Sequence, residues 1–212
     1  MQKPTLFGTD YSVYVRAARL TLFEKGVDYE LAPVDVFATG GPPATYLERQ
    51  PFGRIPAFEH GGFALYETGA ITRYVDEGFE GPVLQPADPR ARARMNQIIS
   101  IADGYLYPTL VWGIYVEQVS KPLSGRQTDI AKLQPALDRA PTCLRAISDL
   151  MANGPWLCGS ALSLADLHVA PMIDYFVKAP VASDMMAENP EVVAWWERMA
   201  DRPSMRATDP KS

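Results

Sequence analysis

The sequence predicts a small α/β domain followed by an all-helical one. Two observations carry this. Over the first 80 residues short apolar runs with strand character change places with runs of helical period, in the order βαβ and then αββα. Past Gly81-Pro82 and the Gln85–Pro89 linker no strand pattern survives. The length agrees: at about 100–200 residues per domain, a chain of 212 residues holds one domain or two small ones. A chain this long buries roughly 70% of its unfolded surface on folding, so its core needs no disulfide or metal staple.

Each element has its own signal. Thr5-Leu6-Phe7 reads as a short strand ended by Gly8. From Ser12 to Lys25 the apolar residues Val15, Ala18, Leu22 and Phe23 recur at helical spacing, and Gly26 closes the run. Tyr29 to Val36 alternates and reads as a second strand. After the Gly40-Gly41-Pro42-Pro43 break comes a short helix over Ala44–Glu48. Ile55–Glu59 and Phe63–Leu65 flank His60-Gly61-Gly62, a hairpin signal. Glu67–Glu77 is helical, with Ala70, Ile71, Tyr74 and Val75 inward.

The second half predicts a long amphipathic helix over Arg90–Val119, bent at Pro108. Another runs from Ile130 to Met151, with Leu133, Leu137, Leu144 and Ile147 on one side and kinks expected at Pro135 and Pro141. Ser163–Val177 and Glu191–Ala200 complete it. The boundary falls at residues 79–89, giving domains of 1–80 and 88–212.

Composition excludes several functions. There are 20 Lys and Arg against 25 Asp and Glu, a net charge of −5. The first 80 residues carry 7 basic and 11 acidic side chains and the remainder 13 and 14, so neither half has the basic footprint of a nucleic-acid binder. No apolar run approaches the ~20 residues that span a bilayer, and Met1-Gln2-Lys3-Pro4 opens no signal peptide. Cys143 and Cys158 form no CxxC motif, and neither His60 nor His168 has a cysteine at metal-ligand spacing, so no metal site is expected. A cytoplasmic setting with reduced thiols is the simplest expectation.

The segment Arg16–Asp35, then Gln50-Pro51-Phe52-Gly53-Arg54-Ile55-Pro56, then Tyr66-Glu67-Thr68-Gly69-Ala70-Ile71-Thr72-Arg73-Tyr74, resembles the cytosolic glutathione transferases of the serine type, theta- and phi-like. Ser163-Leu164-Ala165-Asp166 matches the same family. The resemblance implies a thioredoxin-like first domain that binds glutathione and a helical second domain that contributes the electrophile pocket. It implies a transferase that uses glutathione as cosubstrate with no bound cofactor, acts on a small hydrophobic electrophile and forms a homodimer, with Phe52 as an aromatic plug. A glutathione-dependent isomerase, dehalogenase or peroxidase, or a non-catalytic glutathione-binding scaffold, is the alternative on the same fold.

Site residues follow from the same resemblance. Pro56 is expected to be cis, presenting the Ile55 backbone to an extended tripeptide as an added strand would. Glu67 and Thr68 open a helix. Thr68 is its natural N-cap, and the turn accepts the γ-glutamyl end, the acid taking the ammonium and the helix N-terminus the carboxylate. Arg54 and Gln50 meet the glycyl carboxylate. Relatives carry a basic residue near Ala38–Gly41, whereas this chain has none between Lys25 and Arg49.

Ser12 is the catalytic candidate. Counted back from Glu24-Lys25-Gly26, it falls where serine-type members keep their hydroxyl, at the start of the first helix. A free thiol with a pKa of about 8.5 is mostly protonated at neutral pH, and a hydroxyl donor beside a helix N-terminus favours the thiolate. Tyr11 and Tyr14 flank Ser12 and are its rivals for that role or line the electrophile pocket. Tyr105, Trp112 and Tyr115, at spacings of seven and three, share one helical face and are expected to line it too. Ser163-x-x-Asp166 reads as an N-capping box.

Overall fold

The computed structural model describes residues 2–210. It resolves into two compact units. One runs to Val83 and regains the chain from Pro203; the other is Leu84–Arg202.

The first unit is built on a four-stranded sheet of order β2-β1-β3-β4, from β1 (Thr5–Phe7), β2 (Glu30–Ala32), β3 (Ala57–His60) and β4 (Phe63–Tyr66). β1 pairs parallel with β2 and antiparallel with β3, so the crossover carries helix α1 (Val13–Glu24). Only Glu30–Ala32 of the expected Tyr29–Val36 strand forms the ladder; beyond it the Val34 N–H still donates to the Gly8 carbonyl at 3.3 Å. α2 (Ala44–Leu47) precedes β3 and α3 (Thr68–Gly78) follows β4. Leu6, Val15, Leu22, Phe58, Ile71 and Val75, each 1% exposed or less, fuse the sheet to α1 and α3. Lys25 at the end of α1 is buried, and its Nζ donates to Asp76 Oδ1 at 3.2 Å and to the carbonyls of Asp76 and Pro82, tying α1 and α3 to the chain's exit. Such a pair is costly to break from one side, since the remaining charge is buried alone.

The chain's last helix groups with the first unit rather than with Leu84–Arg202. α10 (Pro203–Ala207) packs in the first unit. The cause is polar. Arg16, 2% exposed on α1, donates to the Met205 carbonyl at 3.0 Å and the Thr208 hydroxyl at 3.4 Å, and Arg19 donates to the Thr208 carbonyl. A buried guanidinium needs these acceptors, and 203–208 supplies them.

The second unit is helical: α4 (Pro89–Ile101), α5 (Lys121–Leu123), α6 (Ile130–Leu150), α7 (Leu164–Phe176), α8 (Ala182–Ala187) and α9 (Pro190–Ala200). Between α4 and α5 the chain does not continue as the expected α-helix. Ala102–Ser120 is wound in the wider π register, ending where the Lys121 N–H reaches the Val116 carbonyl five residues back. Pro108 lies inside this segment, lacks a donor and crowds the preceding turn of a regular helix. α6 takes in both Pro135 and Pro141 without interruption.

The capping box at the start of α7 is centred on Asp166, fully buried. Its Oδ2 accepts the Ser163 N–H at 2.8 Å and the Ser163 hydroxyl at 2.7 Å; its Oδ1 accepts the Leu157 N–H and Trp195 Nε1, both at 2.8 Å. Burial pushes the Asp166 carboxyl up against these four donors. Asp103 Oδ1 accepts from buried His168 Nε2 at 2.7 Å, so within this unit its carboxylate is engaged.

Candidate active site

Three loops of the first unit meet at one end of its sheet, and pairing register explains why. Phe7, the last residue of β1, lies opposite Ala57, the first of β3, and Ala57 lies opposite Tyr66, the last of β4. The residues just outside these pairs are Gly8 and the loop to Ser12, then Ile55-Pro56, then Glu67-Thr68. Gly8, at φ +152°, is the close approach on which this depends: a Cβ there would stand 2.4 Å from a Val15 methyl and 3.3 Å from the Ile55 Cβ.

The Ile55–Pro56 peptide is cis. Ile55 lies outside the ladder, so its backbone edge continues the sheet without being consumed by it. Two residues brace this turn from α2. The Tyr46 hydroxyl donates to the Arg54 carbonyl at 2.6 Å, and the Arg54 N–H donates to Gln50 Oε1 at 3.1 Å. Burial pushes the Tyr46 phenol up to about 12, so it stays a donor throughout the accessible pH range. Gln50 is 1% exposed and holds the loop's backbone, whereas the Arg54 side chain is exposed at the rim.

Glu67 is the one non-glycine residue with positive φ among the described residues, at +72°, a conformation that sites retain at an energetic cost. It, not Thr68, stands at the N-cap of α3, and no side chain caps that helix; Thr68 is buried as its first residue. The first bonds in α3 run from Ala70 and Ile71 to the Glu67 carbonyl, leaving the Thr68 and Gly69 N–H groups at an uncapped, positive helix end. An anion is what such an end accepts, with the Glu67 carboxylate exposed beside it.

Ser12 is the N-cap of α1. Its Oγ accepts the Val15 N–H at 3.3 Å, so the ordinary capping role is present. A hydroxyl also donates, and the Ser12 proton is committed to no acceptor among the described residues. Tyr11 differs: its hydroxyl donates to Asp35 Oδ1 at 2.8 Å, and burial together with Asp35 pushes the phenol up from 10.0. Tyr14 lies in the first turn of α1, half-buried.

Sequence reasoning missed Asp35. It also accepts the Phe37 N–H at 2.9 Å, and the Tyr11 and Phe37 rings stack with centroids 6.3 Å apart, so one carboxylate joins the loop before α1 to the loop after β2. The signal available was a 67% exposed phenylalanine, visible only in three dimensions.

The three aromatic residues of the second unit do not share one neighbour. Tyr105 lies beneath Arg139 of α6 and Trp112 lines a groove on α6, but Tyr115 packs on Tyr175 of α7 at 4.6 Å. Spacings of seven and three give one face only in a regular α-helix, and this segment is π-wound. Burial, and then Asp174, pushes the Tyr115 phenol up. Among the described residues no cluster of His, Cys, Asp or Glu could hold a metal ion, and no helix is long and apolar enough to cross a membrane.

Residues 6–83 match the family described as glutathione S-transferase, N-terminal domain, and residues 120–207 match glutathione S-transferase, C-terminal domain. Among curated relatives, glutathione S-transferase F14 of Arabidopsis thaliana is 32% identical over 197 residues, 91% of this chain and 77% of that protein. Glutathione S-transferase F7 of the same plant is 30% identical over 206 residues, covering 95% of this chain and 96% of that one. Of solved structures, apo glutathione S-transferase III superposes with a TM-score of 0.85 at 30% identity, over 98% of this chain and 95% of that one. Glutathione S-transferase-I bound with lactoylglutathione gives 0.83 at 26% identity, over 98% of each chain.

Proposed function

Because the chain belongs to the glutathione S-transferase family, we propose that its glutathione transfer runs at the sheet end just described, with Ser12 stabilising the thiolate. Glutathione is the cosubstrate, and no bound cofactor takes part. The observation that carries the assignment is the contrast between two hydroxyls: the Ser12 proton is available and the Tyr11 proton is spent on Asp35. A tripeptide extended along Ile55 leads its γ-glutamyl end to the α3 N-terminus, where the Thr68 and Gly69 N–H groups take the carboxylate and Glu67 the ammonium. Arg54 at the rim takes the glycyl carboxylate, a load no other cation shares between Lys25 and Arg49. The cysteinyl sulfur then comes to the start of α1. The Ser12 hydroxyl and the positive helix end favour its ionisation, and the proton leaves to solvent. The thiolate attacks an electrophilic carbon of a small hydrophobic substrate, forming a carbon–sulfur bond as the leaving group departs.

Ultraviolet difference absorbance of bound glutathione, titrated with pH, tests this without choosing an electrophile. Lowering the thiol pKa by ~2 units corresponds to about 2.7 kcal/mol, the scale of one hydrogen bond to a charge plus a helix end. A thiolate forming well below the free-thiol pKa is the expected result; bound glutathione that stays protonated until that pKa is reached overturns the assignment.

Glu67→Ala is expected to weaken glutathione binding by about 1.5–3 kcal/mol, roughly 10–150-fold in Kd. Calorimetric titration reads it, and an unchanged isotherm removes Glu67 from the site. A homodimer belongs to the same reading, supported by Phe52, 68% exposed and edge-on to Tyr66 at 6.1 Å, an aromatic patch of the kind partners cover. Sedimentation at micromolar concentration is expected to give twice the chain mass. The cytosol, where glutathione is kept reduced, is the compartment this chemistry suits.

A further inference from the structure

The loop that leads into Ser12 meets the loop after β2 through a pair of aromatic rings and the carboxylate between them. Tyr11 immediately precedes Ser12, and its ring stacks on Phe37 with centroids 6.3 Å apart and planes 29° apart. The two residues are 38% and 67% exposed, so the pair presents ring surface to solvent. The exposed phenylalanine is nevertheless fixed in place, because its N–H donates to Asp35 Oδ1 at 2.9 Å.

Asp35 braces this pair with one oxygen only. Oδ1 accepts both the Tyr11 hydroxyl and the Phe37 N–H, while Oδ2 meets no protein group among the described residues. Asp10, in the same loop as Tyr11, makes no ion pair among the described residues either. The Tyr11 phenol feels both carboxylates: after burial, Asp35 and then Asp10 push it up. No Lys or Arg stands between Lys25 and Arg49 to offset them. Arg49 itself meets Glu59 at 3.5 Å and lies over the Phe7 ring. Aromatic faces attract cations, an unengaged carboxylate oxygen accepts from a charged donor, and the same carboxylates repel an anion.

We propose that Asp35 is a specificity-determining residue: with the Tyr11–Phe37 pair it selects flat aromatic electrophiles by charge, taking cationic ones over anionic ones. This names the electrophile class of the transfer proposed above and rests on that transfer running beside Ser12.

Three chloronitrobenzenes test it on the full chain at saturating glutathione. They differ only in the group para to chlorine: trimethylammonium, methyl ester or carboxylate. In each, the thiolate forms a carbon–sulfur bond and chloride leaves with the bonding pair, the thiol proton having gone to solvent. Dividing each kcat/KM by the rate constant of free glutathione thiolate with the same compound removes differences in ring activation. The cation is expected to exceed the anion by about tenfold or more, with the ester between them. Asp35→Asn keeps an oxygen for Tyr11 and Phe37 to donate to and removes only the charge, so the ratio is expected to fall below about threefold. Phe37→Leu is expected to lower the cation's value about two- to fivefold. Asp28→Asn, which removes a carboxylate paired with Lys3 ahead of β2, is expected to leave the ratio as it was. A ratio near one in the wild type, a ratio unaltered in Asp35→Asn, or no acceleration of any of the three overturns the proposal. The pH titration of bound glutathione keeps the two readings apart. A thiolate that forms normally beside a ratio of one removes the charge selection alone, whereas a bound thiol that stays protonated removes the Ser12 assignment whatever the ratio.

Discussion

Ser12→Ala is expected to lower turnover about a hundredfold at neutral pH while changing glutathione affinity by less than about threefold. A pKa shift of ~2 units sets that scale, because the fraction of bound thiol that is ionised at pH 7 falls with it. In the proposed site the tripeptide's ends are held elsewhere, at Arg54 and at the uncapped start of α3, so binding is expected to survive. The variant also loses its N-cap, which costs about 1 kcal/mol and lowers the melting temperature of a chain this size by roughly 2–4 °C. A Ser12→Thr variant is expected to recover both, since it supplies a hydroxyl that caps and donates. Tyr11→Phe is the contrasting case. Its proton already belongs to Asp35 at 2.8 Å, so the thiolate titration is expected to move by less than half a pH unit. A full-strength thiolate signal in Ser12→Ala, lost instead in Tyr11→Phe, transfers the role to the phenol.

The second large effect is on stability. Asp166→Ala is expected to destabilise the helical unit by about 3–5 kcal/mol, at the upper end for a single substitution. The carboxylate is fully buried and collects four donors, from Leu157, Trp195 and both the N–H and hydroxyl of Ser163. Truncation orphans all four, and each buried donor left without an acceptor costs about 1–3 kcal/mol before relaxation. Asp166→Asn keeps one carbonyl acceptor but turns an amide toward the Ser163 N–H, so an intermediate loss is expected. Chemical denaturation followed by tryptophan fluorescence reads it directly through Trp195. A midpoint equal to wild type in Asp166→Ala would show that the four donors find other acceptors.

Much of the fold is legible in the sequence because its periods are clean. Thr5–Phe7 and the helix ending before Gly26 need only alternation, a 3.6-residue repeat and a glycine stop. The misreadings have local physical causes. The helix containing Pro108 changes its winding, which separates Tyr115 from Trp112 although their spacing suggests one face. Glu67 takes the N-cap from Thr68 by adopting a left-handed backbone, a conformation no propensity favours for glutamate. For the site, it is the family resemblance, not spacing alone, that brings forward Ser12, Pro56 and Glu67 as candidates. Long-range hydrogen bonds such as Tyr46 to Arg54 and Tyr11 to Asp35 leave no periodic trace, so the bracing of the loops is visible only in the folded chain.

The return of residues 203–208 to α1 gives the first unit an order of events in time. Arg16 is made early and waits, while Leu84–Arg202 emerge, for the carbonyl of Met205 and the hydroxyl of Thr208. At about 5–20 residues per second that wait is on the order of ten seconds on the ribosome. During it the helix that presents Ser12 carries a guanidinium still in contact with water. The nascent sheet domain is therefore finished only when nearly everything downstream has been translated, and a message cut short before Pro203 yields a chain in which Arg16 never meets these acceptors.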